Sequence, residues 1–285
     1  MTFSRIEARP LAGAVGAEIV GVDLSTPLDE ATFGEIRRAL VDFGVLCFRG
    51  QQLTPEQQVA FARRFGALDV HPIVNGTDDI PELVRVLKPA GESASFGVGW
   101  HSDNSFFEMP SLGSVLYGVT IPPYGGDTLY ASMEKAYAAL SQPMQRFLDG
   151  LVAVHSAARA YDPKTTGEHK YRGEAPITYR YDAEAISAEV QHPVIRTHPE
   201  SGRKSLYVNQ MFTQRIVGLA DGESRALLGF LYGHCARPEF TCRLAWQPGT
   251  LAMWDNRSVQ HYAIDDYQPF ERLMYRVTIC GDRPR

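Results

Sequence analysis

The sequence predicts a mainly β fold with flanking helices, an antiparallel core most economically closed as a jelly roll, and three observations carry that prediction. Helical signals cluster near the start of the chain, where apolar residues recur at three- and four-residue intervals. The C-terminal part reads as strands joined by tight turns: Phe240 to Trp246, a Pro248-Gly249 turn, Thr250 to Trp254, and Arg272 to Cys280. Between them, Pro193 to Thr197 and Leu206 to Val208 flank a Pro199-Glu200-Ser201-Gly202 turn as a hairpin. Helices outside paired strands make a β core covered on one side. With 285 residues, no linker and no repeat, residues 1–285 are expected to form a single domain.

Each element has a local reason. Ala17 to Val22 and Val45 to Phe48 are short β-like runs, and Phe33, Ile36, Leu40 and Phe43 fall on one face of a helix from Asp29 to Phe43 that Gly44 stops. Thr54-Pro55-Glu56-Gln57 supplies an N-cap, a proline at the first helical position and a capping-box glutamine, with Gly66 beyond the last apolar residue, Phe65. A strand at Leu83 to Leu87 leads to a glycine- and serine-rich loop, Gly91 to Gly99, and Ser114 to Thr120 is a further strand. Pro122-Pro123-Tyr124-Gly125-Gly126 forces a turn, so Asp127 and Thr128 open the next strand at a fixed place. Ser132 caps a helix through Leu140, Pro143 opens another through about Leu151, and Ser224 to Tyr232 carries an amphipathic helix. The polar stretch from Asp162 to Gln191 lacks apolar periodicity and is expected to be a mobile lid or binding loop.

Composition narrows the function. A formal net charge of -5 without a basic run argues against nucleic acid as partner. No apolar run reaches membrane-spanning length, and charges near Met1 interrupt what a signal peptide needs, so a cytoplasmic protein is expected. Cys47, Cys235, Cys242 and Cys280 show no C-x-x-C spacing, which fits reduced, mostly buried thiols.

The chemistry gathers around Trp100-His101-Ser102-Asp103. On a strand, residues two apart share a face, so His101 and Asp103 would aim an imidazole and a carboxylate at one point. A second histidine, His261, follows the Asp255-Asn256 turn signal and starts the next segment. Two histidines and a carboxylate on one face of an iron leave positions open for oxygen chemistry. Zinc with an activated water would suit the same three residues, as a metal-dependent hydrolase, and a non-catalytic anion-binding β-barrel is a third reading. Period-two alternation places Arg272, Met274, Arg276 and Thr278 on one face of a strand. Turned inward, the two guanidiniums would have to bind anions, because an unpaired buried charge is costly.

Together, Trp-His-x-Asp at 100–103, Gly-Gly-Asp-Thr at 125–128, Trp-Asp-Asn-Arg-x-x-x-His ending at His261 and Arg-x-x-x-Arg at 272–276 resemble the taurine dioxygenase / 2,4-dichlorophenoxyacetate dioxygenase family. The likeness extends to Gly16-Ala17-Glu18-Ile19, Arg196-Thr197-His198-Pro199 and Tyr207-Val208-Asn209. It implies a double-stranded β-helix, with iron(II), 2-oxoglutarate and dioxygen as cofactor and cosubstrates. It also implies His101, Asp103 and His261 as the iron ligands, and Arg272 and Thr128 as the partners of the distal carboxylate of 2-oxoglutarate.

The same resemblance assigns Arg276 to the anionic group of a small-molecule substrate: a sulfonate, a sulfate ester or an aryloxyalkanoate carboxylate. His71 matches a histidine that assists in the taurine enzymes, and Tyr161 and Phe212 fall at aromatic pocket positions. Gly97 and Val74 depart, standing where those enzymes carry asparagine and tyrosine. Two lost polar contacts leave a roomier, more apolar pocket and weigh against a taurine dioxygenase proper. Val154-His155-Ser156-Ala157 and Phe240-Thr241-Cys242-Arg243 look more like the aryloxyalkanoate branch. Hydroxylation beside a heteroatom would break the heteroatom–carbon bond, and a homo-oligomer is expected.

Overall fold

Helix caps and turns form where their sequence signals stand. In the computed structural model, which describes residues 3–92, 97–162, 164 and 182–285, strands β1 (Glu7–Pro10) and β2 (Ala17–Val20) pair antiparallel. Helix α1 (Glu30–Phe43) begins where the Asp29 side chain accepts the Thr32 amide, and it ends at Gly44, whose φ of 71° is the left-handed conformation glycine adopts without penalty. A Cβ at Gly44 would lie 2.7 Å from Val259 Cγ2, so close packing also demands glycine there. Strand β3 (Val45–Phe48) follows, then α2 (Pro55–Arg63) with the Thr54/Gln57 capping box. That helix stops short of Phe65, which still packs with Phe33 and Phe61 at ring separations of 4.9 and 5.4 Å.

Next come β4 (Leu83–Lys88), β5 (Gly113–Thr120), β6 (Thr128–Ser132), α3 (Met133–Ala138), α4 (Gln142–Leu148) and β7 (Val152–Ser156). Two short helices, Ala158–Tyr161 and Ala183–Ser187, precede β8 (Glu189–Pro193), β9 (Ile195–Thr197), β10 (Lys204–Leu206) and β11 (Thr213–Ile216). After the helix Asp221–Cys235 the chain runs through β12 (Thr241–Leu244), β13 (Leu251–Asp255), β14 (Val259–Ala263) and β15 (Arg272–Ile279). A seven-stranded sheet has the order β1-β2-β3-β13-β5-β15-β4, and a three-stranded sheet the order β12-β6-β14. Their facing side chains, Cys47, Leu116, Trp254 and Met274 from the first with Tyr130, Cys242 and Leu244 from the second, form one buried cluster, the interior of a jelly roll. Helices α1 and α2 bury Ile36, Leu40 and Phe61 against the outer face of the large sheet. No helix among the described residues is long and apolar enough to cross a membrane.

Several expectations change. Residues 182–191 are not a continuous loop but contain the helix Ala183–Ser187 and the start of β8, with Ile186 buried in one cluster with Phe106 and Phe212; residues 163 and 165–181 of the expected lid lie outside the described residues. The second helix after Ser132 ends at Leu148, because Val152 to Ser156 is a strand flanked by β8 and β11. Cys280 is exposed while the other three cysteines are buried, and all are free.

Candidate active site

His101, Asp103 and His261 meet beside an isolated bridge at the edge strand β14. His101 is not part of a strand as expected but makes a single antiparallel bridge with His261, each backbone N–H donating to the other's carbonyl, at 3.1 and 2.8 Å. His261 sits mid-strand in β14, opposite Tyr130 of β6, and Thr128 lies two residues along on the same face. Immediately after the bridge the chain turns. The Asp103 amide donates to Asn256 Oδ1 at 3.1 Å, an oxygen that also accepts from Trp254 Nε1, and Asn104 takes φ 56°, which asparagine tolerates. The 255–258 turn behind it is tied by Asp255, which accepts from the Arg257 guanidinium and from His198 Nε2 at 3.0 Å. His198 accepts backbone amides at its Nδ1, so its proton is on Nε2, and its role is structural.

Asp103 Oδ1 lies 3.7 Å from His101 Nε2 and 3.7 Å from His261 Nε2, and the three ligand atoms fall within 4.8 Å of one another. His101 Nδ1 donates to the Gly99 carbonyl at 2.8 Å, which leaves Nε2 with its lone pair toward Asp103. Burial lowers the His101 pKa, and burial together with the neighbouring His101 and Arg276 pushes His261 down to about 3, so both rings are neutral donors at neutral pH. Burial works to raise Asp103, but the Arg276 guanidinium and the Ser114 hydrogen bond favour its charged form and the carboxyl stays well below its ordinary range. Two neutral imidazoles and one carboxylate converging in a buried site are the donor set of a non-haem iron(II) centre.

One end of the adjoining cavity holds Arg272 and Thr128. Arg272 is 8% exposed, its Nε has no hydrogen-bond partner, and its guanidinium lies 5.8 Å from the rings of Trp246 and Tyr267. Trp246 Nε1 donates to Thr128 Oγ1 at 3.0 Å, and because an indole only donates, the threonine proton stays available for an incoming acceptor. Gly126, at φ 66°, lets the chain pass this close: a Cβ there would sit 3.3 Å from Arg272 Cδ and Nε. The taurine catabolism dioxygenase TauD, TfdA family matches residues 7–278.

The chain belongs to this family.

An alkylsulfatase from Acinetobacter baylyi is 38% identical over 281 residues, covering 98% of this chain and 86% of that protein. An alpha-ketoglutarate-dependent sulfate ester dioxygenase from Pseudomonas putida is 37% identical over 287 residues, covering 98% and 91%. The crystal structure of a taurine dioxygenase from Burkholderia xenovorans superposes with a TM-score of 0.83 at 38% identity, covering 99% of this chain and 93% of that one. The protein is an iron(II)- and 2-oxoglutarate-dependent dioxygenase of the TauD, TfdA family.

In the same cavity of this dioxygenase Arg276 is buried, with Nη1 3.5 Å from Asp103 Oδ1, and Gly97 is part of the lining. A Cβ at Gly97 would point at His101 Cε1 and the Ala263 Cβ, 3.7 Å from each, so glycine leaves that volume open. Val74, Tyr161 and Phe212 are buried together with Phe106, which the sequence reading passed over. Phe212 stands edge-on to His101 with centroids 6.1 Å apart and packs on Phe106 at 4.9 Å. His71 reaches the same cluster, yet its Nδ1 accepts the amides of Ile73 and Val74 and its Nε2 donates to Asn104 Oδ1, all at 3.0 Å. Its ring nitrogens are engaged by the protein, which is at odds with an anion contact. The family motifs could not reveal this, since the engagement depends on the turn at 71–74. Ser114 and Trp246, which set Asp103 and Thr128, also escaped, because nothing in their own segments marks them, and Asn256, marked only as a turn signal, proves to hold the Asp103 amide.

Proposed function

We propose that His101, Asp103 and His261 hold the iron, that Arg272 and Thr128 hold the distal carboxylate of 2-oxoglutarate, and that the substrate is a sulfate ester with an apolar chain. The observation that carries the substrate reading is the pairing of one buried cation, Arg276, beside the metal-facing oxygen of Asp103 with a wall of Val74, Phe106, Tyr161 and Phe212. A guanidinium fork suits the oxygens of a sulfate, and the apolar wall gains from an alkyl tail but offers an amine nothing. Relatives named alkylsulfatase and sulfate ester dioxygenase support the same class.

Iron(II), when bound, supplies the activation of dioxygen that couples oxidative decarboxylation of 2-oxoglutarate to oxidation of a substrate C–H bond. The chain's own work is placement. Arg276 fixes the sulfate, so the carbon beside the ester oxygen faces the His101–His261 edge, and Phe106 and Phe212 keep water from the reacting carbon. One oxygen atom enters succinate, with release of carbon dioxide, and the other enters the substrate as a hydroxyl group. The hydroxylated carbon then expels sulfate, breaking the C–O bond and leaving an aldehyde. His71 acts on this reading as a wall and a brace for Asn104. The reading keeps the chain as one domain over residues 1–285, cytoplasmic, homo-oligomeric, with a small anion as its partner.

The test is stimulated 2-oxoglutarate consumption with alkyl sulfates, alkyl sulfonates, taurine and aryloxy acids offered in parallel. Alkyl sulfates are expected to give the highest kcat/KM, with sulfate released in step with succinate. Preference for taurine, or equal turnover by Arg276→Ala, would remove the proposal.

A further inference from the structure

The two oxygens of Asp103 have separate neighbours. Oδ1 faces both histidine Nε2 atoms, while Oδ2 accepts a 2.7 Å hydrogen bond from the Ser114 hydroxyl. Ser114 is 0% exposed and lies on β5 between two strands, opposite Trp254 of β13 and Thr278 of β15. It is therefore held by a central strand rather than by a loop, and its only proton is committed to Asp103.

We propose that Ser114 is a positioning residue that keeps Asp103 a one-oxygen ligand and thereby keeps open the coordination position dioxygen needs. The inference rests on reading His101, Asp103 and His261 as the iron ligands. The count is what makes the second oxygen matter. With iron bound, three protein donors would leave three of six positions; 2-oxoglutarate, chelating through its keto and adjacent carboxylate oxygens, would use two, and one would remain. A carboxylate free to bind through both oxygens would take that one. Asp103 would reach the metal from a turn whose Asn104 is already in the left-handed conformation, so the carboxylate is not fixed by a regular strand; Arg276 approaches Oδ1, and Ser114 restrains Oδ2.

The experiment uses nitric oxide as a dioxygen stand-in on the anaerobic iron(II)–2-oxoglutarate protein, with iron(II) affinity measured separately by equilibrium dialysis. Ser114→Ala is expected to bind iron(II) as tightly as wild type or tighter, to bind nitric oxide at least about tenfold more weakly, and to raise KM for dioxygen by a similar factor. Ser114→Thr, which keeps the hydroxyl, is expected to restore both. Nitric oxide affinity unchanged in Ser114→Ala, or a loss of iron(II) that accounts for the whole effect, overturns the proposal. Should the alanine variant fail to fold, Ser114→Cys, similar in size with a weaker donor, carries the same comparison. Asp103→Ala separates this from the ligand assignment: undiminished iron(II) binding there defeats the triad reading, whatever Ser114 does.

Discussion

Replacing Arg272 by methionine removes a guanidinium that is 8% exposed, has an unpartnered Nε, and carries a desolvation cost of burial that Tyr267 and the more distant Asp127 carboxylate offset only in part. Two opposite effects follow. Without 2-oxoglutarate the buried charge is a cost, and an apolar side chain of similar length is expected to stabilise the protein by about 2 kcal/mol. At about 2–3 °C per kcal/mol for a chain of this size, that is a rise of about 4–6 °C in Tm. With 2-oxoglutarate the same change leaves the ligand's distal carboxylate buried with only Thr128 beside it. Truncating one member of such a pair costs about 3–4 kcal/mol, or about 10²–10³ in Kd. Thermal unfolding of the anaerobic manganese(II) protein, with and without 2-oxoglutarate, reads both effects, since ligand binding raises Tm by mass action. Wild type is expected to gain on adding 2-oxoglutarate, and Arg272→Met to start higher and to need about 10²–10³ more 2-oxoglutarate for the same gain. A variant that starts lower and still responds to 2-oxoglutarate like wild type refutes the reasoning.

The remaining predictions concern the walls of the site and the buried histidines. Gly126→Ala places a methyl 3.1 Å from Tyr267 and 3.3 Å from Arg272 at a φ of 66°; it is expected to raise KM for 2-oxoglutarate at least about tenfold, from about 1–2 kcal/mol of backbone strain plus the displaced guanidinium, and unchanged steady-state kinetics would contradict it. Phe212→Ala, at a site 2% exposed, is expected to cost about 3 kcal/mol of stability by urea unfolding and to uncouple 2-oxoglutarate consumption from product, since water gains access beside His101. Burial holds His155 down to about 3 and His192 to about 4, so between those values and the ordinary 6.5 the unfolded chain binds protons the folded one does not. Stability is therefore full above the unfolded value and falls with pH through that window, by about 2 kcal/mol per histidine between about pH 7 and about pH 5; a flat urea midpoint over that range would count against it.

Where a structural decision is local, the residues announced it. Gly44 ends α1, Thr54 and Gln57 close the capping box, and β3 occupies Val45–Phe48, because each depends on neighbours within a few positions. Alternation along β15 put Arg272 and Arg276 on one face but left open whether that face turns inward, which the buried positions of both side chains decide. Strand β7 was hidden because Val152 follows α4 with only a short break, and β1 because its charged residues form an exposed edge. The convergence of His101, Asp103 and His261 was legible through spacing and resemblance, although His101 is braced by a single bridge to His261 rather than by a strand. What no segment could disclose was the support: Ser114 to Asp103, Trp246 to Thr128, and Asn104 to His71 are contacts between residues whose partners are chosen by the fold. His71 shows the consequence, since its position matches the family while its nitrogens are already engaged.

The account stands most directly on Asp103, whose Oδ1 is the atom shared by both histidines and Arg276. Succinate formation measured with iron(II), 2-oxoglutarate, dioxygen and an alkyl sulfate, with each omitted in turn and in Asp103→Ala, tests it. The account predicts stoichiometric succinate for wild type only with iron(II), 2-oxoglutarate and dioxygen all present, and loss of about 10³ or more in Asp103→Ala. Undiminished succinate in that variant, or product formed without dioxygen, would contradict it.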